Sequence, residues 1–304
     1  MKRILILNIM LLIGLMSYGQ QEPQYTQYMY NPTVVNPAYA GSKGFTSIYG
    51  LYRTQWVGLD GAPKTVNVSM NKPIEGSKLG YGVSVLNDNI GVSDDTQISV
   101  DLAYTLFLSN DSRLAFGLKA SGNLLNVDYN KLNQYNPGEQ VLQNNITNLF
   151  SPNVGVGLYY YNNTSYFGAS VPMLFDTEKY DDVNRAQINQ RYHMYFMGGK
   201  VFDLSYNLKF KPAFISKVVA GAPLQLDLSA NFMFSDKFVI GAAYRWSASV
   251  SMLAGFQLSD NLFVGYGYDT ETTRLSNYNS GSHELFLQFD LFRKHSRIAT
   301  PRFF

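Results

Sequence analysis

The residues whose types suggest chemistry are Ser282, His283 and Glu284, which follow one another, and His193 further back in the chain. Acyl hydrolysis needs a serine, a histidine and an orienting third group within mutual reach. Ser282 and His283 are neighbours in a segment that alternates like a strand, so their side chains should point to opposite faces. The sequence also contains no G-x-S-x-G or H-E-x-x-H motif. We therefore predict no catalytic residue and interpret the triplet as a structural element at the start of a strand.

The composition argues against metal, cofactor and nucleic-acid chemistry. The chain has no cysteine and only three histidines, His193, His283 and His295, which are scattered. Without cysteine there are no disulfides, no thiolate zinc sites and no lipoprotein anchor. A net charge of +2 is not the basic footprint of a nucleic-acid-binding protein. We predict no metal, no cofactor and no nucleic-acid partner.

Charged residues recur on the more polar face of the alternating segments. One interpretation is a charged, water-filled conduit or ligand site. The other is a set of cross-strand pairs that fill and stiffen a lumen, which is favoured because both signs occur in similar numbers and desolvated charges need partners. The candidate lumenal charge network consists of Arg53, Asp101, Lys119, Asp227, Arg245, Asp269 and Glu284.

The segments that carry these charges alternate apolar and polar side chains with a period of two residues. In the closing stretch, Leu285, Leu287 and Phe289 share one face, opposite Glu284 and Gln288. This period is typical of β-strands with one apolar face. Similar segments follow one another to the end of the chain, with no convincing helix between them.

The composition favours lipid, rather than a protein core, as the environment of the apolar face. Charged residues make up 15% of the chain, whereas a soluble domain carries about 25%. The mean hydropathy of -0.13 is too polar for a bundle of membrane helices. We therefore predict an all-β fold, a transmembrane antiparallel β-barrel of about 14 strands, an even number as in bacterial single-chain barrels.

The connections between the predicted strands alternate between short and long for most of the chain. This asymmetry is typical of outer-membrane barrels, which have short periplasmic turns and longer outer loops. The last strand should pair with the first, near residues 44–56, to close the barrel. The tight turns are predicted near residues 109–112, 161–164, 203–206, 235–237 and 259–261, and the longer connections near 87–96, 125–151, 174–190 and 270–281.

The chain divides into four predicted segments. Residues 1–19 have a basic start, an apolar run and small residues at its end, which is typical of a secretory signal peptide. Residues 20–43 form an irregular N-terminal lead-in that is periplasmic or lumenal. Residues 44–292 form the outer-membrane barrel, and residues 293–304 form a basic C-terminal tail.

The lead-in is rich in tyrosine and contains two Asn-Pro pairs, which are turn signals. It is interpreted either as a partner-binding segment or as a plug or brace for the barrel, and the two roles are compatible. The long asparagine-rich connection near residues 125–150 is a second candidate surface for recognition. The candidate partner-binding residues are Tyr25, Tyr28, Tyr30, Asn31, Asn36, Tyr39 and Trp56.

Several stretches carry a family resemblance. They include QYTQYMYNPTVVNPAYAGS in the lead-in, YRTQWVGLDGAPKTVNVSMNKPI after it, and the closing GYGYDTETTRLSNYNSGSHELFLQFDLF. With these motifs the chain resembles the PorP/SprF family of Bacteroidetes outer-membrane proteins over essentially its whole mature length. The resemblance implies a component of the type IX secretion and gliding machinery.

The resemblance also implies partners and a location. They are a cognate secreted adhesin, periplasmic components of the secretion and gliding machinery, and the outer-membrane lipid of a Gram-negative, Bacteroidetes-like bacterium. The barrel would bind the adhesin, by hypothesis through the adhesin's C-terminal domain, and help to export or anchor it. The alternative is an outer-membrane transporter or porin for a small or hydrophobic ligand, which an open lumen would support and a plugged lumen would oppose.

Overall fold

The computed structural model describes residues 28, 30–132, 145–175, 192–220 and 222–291. Fifteen strands follow one another in this part of the chain, with four short 3-10 helices at Pro32–Val34, Pro37–Tyr39, Tyr129–Lys131 and Arg274–Asn277. None of the described helices is long and apolar enough to cross a membrane. The strands are β1 (Thr46–Thr54), β2 (Lys64–Pro73), β3 (Leu79–Ile90), β4 (Ser93–Phe107), β5 (Arg113–Val127), β6 (Ile146–Tyr161), β7 (Ser165–Val171), β8 (His193–Lys200), β9 (Phe202–Ser205), β10 (Leu208–Val219), β11 (Gln225–Phe234), β12 (Phe238–Arg245), β13 (Ser249–Ser259), β14 (Leu262–Glu271) and β15 (Ser282–Leu291).

The strands form one closed antiparallel barrel. Apart from β8 and β9, consecutive strands pair with each other, and β15 pairs with β1 in a register that runs from Thr46 opposite Leu291 to Thr54 opposite His283. β8 and β9 both pair with β10 and occupy one position in the wall, so the barrel has fourteen strand positions. The predicted fold class, strand number and closing pair are confirmed.

The two faces of the wall differ sharply in chemistry. The outer face carries exposed apolar side chains, including Val68 at 52%, Leu118 at 62% and Leu285 at 51% exposure. The inner face carries buried polar side chains such as Asn67 and Asp101. A closed barrel satisfies every backbone hydrogen bond within the wall, which a bilayer requires. The outward apolar face therefore meets lipid, as the composition and the pattern of connections predict.

The cost of placing a charge on the outer face should depend on how deep that position lies in the bilayer. Val68 lies near the middle of β2 and points outward. Val68→Arg is expected to lower the free energy of unfolding in lipid vesicles by about 2–4 kcal/mol, as for arginine near a bilayer midplane. Asn89→Arg, at an exposed outward position near the end of β3, is the control and should change it by less than about 1 kcal/mol. If the two variants lower the free energy of unfolding equally in a guanidinium titration, Val68 does not lie deeper in the bilayer than Asn89.

The two ends of the barrel differ in their connections. We name the end where β1 begins and β15 finishes the turn end; its connections are short, as at residues 162–164 and 260–261. We name the opposite end the loop end. It carries the longer connections, although residues 91–92 and 246–248 are tight turns there as well. The long connection predicted at residues 87–96 is therefore wrong, because β3 continues to Ile90 and β4 begins at Ser93.

Four neighbouring strands extend beyond the loop end of the others. β4, β5 and β6 contain 15, 15 and 16 residues, whereas a membrane-spanning strand needs about 9–11. On β3 and β4 the outward side chains of this extension are polar, and Asn87 donates hydrogen bonds to Asp94 and Thr96 across the strand pair. On β5 and β6 the outward positions include the apolar Leu124 and Phe150. The polar composition predicted loops, but the strand pairing continues above the lipid. We name this part of β3–β6 the extension.

Three further boundaries differ from the predictions. The connection predicted at residues 125–151 is shorter, since β5 continues to Val127 and β6 begins at Ile146. The turn predicted at 203–206 is mostly strand β9. The predicted first strand ends at Thr54 rather than Trp56, which has a φ of 46° and cannot continue a strand.

Candidate functional site

The lumen is occupied by the chain that precedes β1. Residues 30–43, which we name the plug, contain two 3-10 helices that each begin at the proline of an Asn-Pro pair. Asn36 caps the second helix by accepting a hydrogen bond from the Ala38 amide. Thr33, Asn36 and Ala38 are fully buried.

Glycines in the inner wall let the plug backbone approach the strands closely. A β-carbon placed on Gly117 would lie 2.1 Å from the Ala38 nitrogen, and one on Gly157 would lie 2.1 Å from Asn36 Oδ1. On β3, a β-carbon on Gly80 would lie 2.5 Å from the Ala40 carbonyl oxygen. Real β-carbons do not make contacts this short, so the plug fits only against a wall that has glycine at these positions.

Side chains from several strands hold the plug by hydrogen bonds. Lys119 Nζ donates to the Thr33 carbonyl at 3.3 Å, and Ser170 Oγ donates to the Val35 carbonyl at 2.8 Å. Asn36 Nδ2 donates to the Leu158 carbonyl at 2.9 Å. The first two bonds satisfy carbonyl groups of the irregular plug backbone, which would otherwise be buried without partners. The third bond joins a plug side chain to the backbone of β6.

Aromatic contacts fix the plug to opposite sides of the lumen. Tyr30 lies against Phe263 and Phe286 of β14 and β15, with ring centroids 5.7 and 4.4 Å away. Tyr39 packs edge-on against Tyr159 of β6 at 5.4 Å. The plug therefore crosses the lumen from the β14–β15 wall to the β4–β6 wall and fills the space between them.

The predicted partner-binding residues do not form one surface. All of those on the plug, together with Tyr28, are buried inside the barrel, where they pack rather than face a partner. Trp56 lies apart from them at the loop end, with Nε1 donating to Glu271 Oε1 at 3.0 Å. Tyr25 lies outside the described residues, as do the predicted signal peptide and residues 293–304. The buried members are Tyr28, Tyr30, Asn31, Asn36 and Tyr39.

The seven predicted lumenal charges lie in three ion-paired groups. In the first, Arg53 Nη1 lies 2.6 Å from Asp269 Oδ2 and 3.1 Å from Glu284 Oε2. All three side chains are nearly inaccessible. The cation faces both carboxylates across the β14–β15–β1 seam, where the chain ends close the barrel.

The other two groups lie across neighbouring strand pairs. Arg245 Nη2 lies 2.8 Å from Asp227 Oδ2, and its Nε donates to the same carboxylate, so the contact is bidentate. Lys119 Nζ lies 3.1 Å from Asp101 Oδ1 in the middle of β4 and β5. Pairing of opposite charges thus accounts for these residues. Lys43, which was not among the predicted charges, pairs with Asp290 at 3.7 Å where the plug joins β1.

The triplet that begins β15 is divided between the two faces. Ser282 and Glu284 are buried inside, whereas His283 is on the outer face, where its ring contacts Tyr266 and Tyr268. The predicted opposite orientation of Ser282 and His283 is confirmed, and this geometry prevents them from acting together. The described residues contain no group of three or more histidines and carboxylates that could hold a metal ion.

The loops at the loop end are joined to one another, which the sequence did not reveal. Backbone hydrogen bonds connect Val57 with Gly281 and with Ser280, so the β1–β2 and β14–β15 loops are held together. The amide of Gly91 donates to the Gly61 carbonyl, which links the β3–β4 turn to the same group. These loops form a continuous ledge beside the extension.

The family comparison covers nearly the whole chain. A family profile described as "Type IX secretion system membrane protein PorP/SprF" matches residues 17–289. The chain belongs to the PorP/SprF family. No curated protein matches it at a significant level.

Among solved structures, the chain is similar to the CymD monoaromatic hydrocarbon channel, with 11% identity over 92% of this chain and 96% of that one and a TM-score of 0.49. It is also similar to a Pseudomonas aeruginosa FadL homologue, with 10% identity over 90% and 95% and a TM-score of 0.44. The NanC porin gives 8% identity over 81% and 100% and a TM-score of 0.43.

Family membership and the lipid-facing barrel identify this PorP/SprF protein as an outer-membrane component of the type IX secretion system. The family and the fold support a non-enzymatic membrane protein. The plug and the ion-paired groups occupy the lumen. The surfaces that remain for contact with other molecules are the two ends and the outer wall.

Proposed function

We propose that this PorP/SprF barrel binds a cognate secreted adhesin and helps to export it or anchor it at the surface of a Bacteroidetes-like cell. Family membership is the observation that carries the proposal, because the family is one of type IX secretion membrane proteins. The turn end would face the periplasm and contact the secretion and gliding components there. The loop end would face outward and hold the adhesin by its C-terminal domain.

The filled lumen favours binding over conduction. The plug crosses the barrel and is held by glycine contacts, hydrogen bonds and aromatic packing. A folded or extended polypeptide, or a small solute, would have to displace these contacts to pass. The proposal therefore gives the barrel the role of a holder beside the route of export, and the porin alternative is not favoured.

The loop end offers the larger surface for a protein partner. The extension raises β3–β6 above the lipid, and the joined loops form a ledge beside it. Tyr278 on this ledge is 70% exposed. Tyrosine supplies a large apolar area with a polar tip, which is why it is enriched at binding hot spots.

The test compares cells that lack the gene with cells that carry the wild-type barrel, Tyr278→Ala or Tyr206→Ala. Tyr206 is 99% exposed at the turn end and is the matched control. We expect the deletion to abolish surface display of the adhesin, measured by protease accessibility on intact cells. We expect Tyr278→Ala to weaken co-purification of the adhesin with a tagged barrel by roughly tenfold, a typical hot-spot effect, and Tyr206→Ala to leave it unchanged.

One result would contradict the proposal directly. If the adhesin is still exported and still surface-bound in cells that lack the gene, the barrel is not its holder. If Tyr206→Ala weakens co-purification and Tyr278→Ala does not, the barrel holds its partner by the turn end, and the assignment of the loop end is wrong. Barrel abundance in the outer membrane is measured in parallel, so that a loss of folding is not mistaken for a loss of binding.

A further inference from the structure

The outer wall of the barrel contains an apolar groove of about 570 Å³. The groove crosses β3 to β8, and almost all of its surface is hydrocarbon. Its side-chain lining is aliphatic and aromatic apart from Ser170, whose hydroxyl is already donated to the plug. Its lining includes Leu79, Tyr104, Val156, Ala169, Ser170 and Met194.

The groove lies within the part of the wall that meets lipid. It extends from Leu79, at the turn end of β3, to Met194, at the loop end of β8. The side chains beside it, such as Phe167 and Val100, are also outward, apolar and exposed. The groove is therefore continuous with the lipid-facing surface and opens towards the bilayer rather than towards water.

The groove and the plug lie on opposite sides of the same few residues. Gly117 and Gly157 line the groove from outside, and their inner sides contact Ala38 and Asn36 of the plug. Ser170 lines it as well and bonds the plug on the inner side. At the two glycines only the strand backbone separates the groove from the plug, because close contact with the plug requires residues without large side chains.

We infer that this groove holds one acyl chain of a membrane phospholipid. A water molecule occupies about 30 Å³ of liquid, and a methylene group is of similar size, so a groove of about 570 Å³ has room for one long acyl chain. An extended peptide would bring backbone groups into hydrocarbon without hydrogen-bond partners. The hydroxyl groups of Tyr104 and Ser170 are the polar side-chain groups in the lining, and Ser170 is bonded to the plug, so a hydrocarbon chain fits and a peptide strand does not.

The inference goes beyond the proposed function and concerns the barrel alone. A chain seated here would lie against the outer side of the backbone at Gly117 and Gly157 and support the thin wall from outside, opposite the plug. It would also exchange more slowly than the lipids on the rest of the outer face, because it has contacts on several sides. Retention of a lipid after removal of bulk lipid is the property that separates a seated chain from ordinary bilayer contact.

The test measures phospholipid retained by the purified full-length barrel after extensive detergent washing, using native mass spectrometry. The probe is a defined mixture of phosphatidylethanolamine and phosphatidylglycerol added before washing. Ala169→Phe fills the groove, and Ala254→Phe places the same ring on the outer face of β13, away from it. We expect one phospholipid per wild-type and Ala254→Phe barrel, and at least a fivefold lower bound fraction for Ala169→Phe.

A second pair of variants keeps the test decisive if Ala169→Phe does not fold, as judged by the heat-dependent shift of the barrel on gels. Val156→Phe lies in the groove and Val264→Phe, on β14, does not. Equal retention by groove and control variants, or no retained lipid in the wild type, would overturn the inference. A retained lipopolysaccharide or protein mass in place of phospholipid would also overturn it. No partner is present in this assay, so its failure leaves the proposed adhesin binding unaffected.

Discussion

Replacement of Gly117 by alanine is expected to unseat the plug and destabilise the barrel, although it adds a single methyl group. The new β-carbon would lie 2.1 Å from the Ala38 nitrogen and 2.4 Å from the Pro37 carbonyl carbon. These are backbone atoms in a buried 3-10 helix, so no side chain can rotate away. Overpacking of a filled interior costs about 1–3 kcal/mol, and we expect the upper part of this range.

Two measurements follow the effect on the plug. Guanidinium titration of the barrel in detergent gives the free energy of unfolding, and single-channel recording in planar bilayers gives the conductance. We expect the wild type to be closed and Gly117→Ala to show openings, because displacement of Ala38 also moves the adjoining Asn36 from its bond with Leu158. The two results together distinguish an unseated plug from a general loss of stability.

Gly50→Ala is the matched control for this substitution. Gly50 also lies within a strand, but a β-carbon there meets only the Leu287 side chain at 3.5 Å, an ordinary contact. Alanine in place of glycine at an unstrained position stabilises by about 0.4–1 kcal/mol through the unfolded state. Gly50→Ala should thus be closed and at least as stable as the wild type. If Gly117→Ala behaves in the same way, the plug does not lie against β5 as described.

The sequence was sufficient to predict the wall of the barrel because nearly every strand follows the same two-residue alternation. Each strand alternates between lipid and lumen, so Val68 and Leu285 identify the outer face without knowledge of their neighbours. The last strand had to pair with the first because an open edge is not tolerated in lipid. One break in this pattern, at Val201 between β8 and β9, falls where both faces carry apolar side chains and the alternation is weak.

The extension could not be predicted because β3 and β4 carry polar outward side chains above the membrane, so an apolar face no longer marks them. The segment around Asn87 and Asp94 is polar on its outer face, and polar residues between strands usually indicate a loop. Its hydrogen-bonded pairing with the next strand is a property of two segments together, which composition does not report. The sequence did offer one sign of the longer strand. The two-residue period of β3 continues through Leu86 and Asp88, which both point inward.

The position of the lead-in depended on contacts between distant parts of the chain. Its tyrosines and Asn-Pro pairs indicated order, and the inner-face glycines indicated that some segment approaches the wall. Nothing in either pattern connected Ala38 with Gly117, or Thr33 with Lys119, which is 86 residues away. The candidate partner-binding residues were chosen by type, and burial in the lumen gives most of them a packing role instead.

The second large effect is expected at Lys119, which connects the wall and the plug. Its ammonium group lies 3.1 Å from Asp101 and donates to the Thr33 carbonyl, and the Asp101 side chain is fully inaccessible. Lys119→Met keeps most of the volume but leaves the buried carboxylate without its cation. Loss of one partner from a buried pair costs about 3–5 kcal/mol, which we expect as a lower free energy of unfolding in the same guanidinium titration.

A second substitution separates the charge from the packing. In Lys119→Met with Asp101→Asn, no charge is buried, so we expect at least half of the lost free energy to return. Lys131→Met is the control for a pair in solvent, since Lys131 is 71% exposed beside Asp128, and it should cost less than about 1 kcal/mol. If the double variant is no more stable than Lys119→Met, the bond to Thr33 is the main contribution of Lys119. In that case Lys119→Met should also show the channel openings expected of Gly117→Ala, because both substitutions release the same part of the plug.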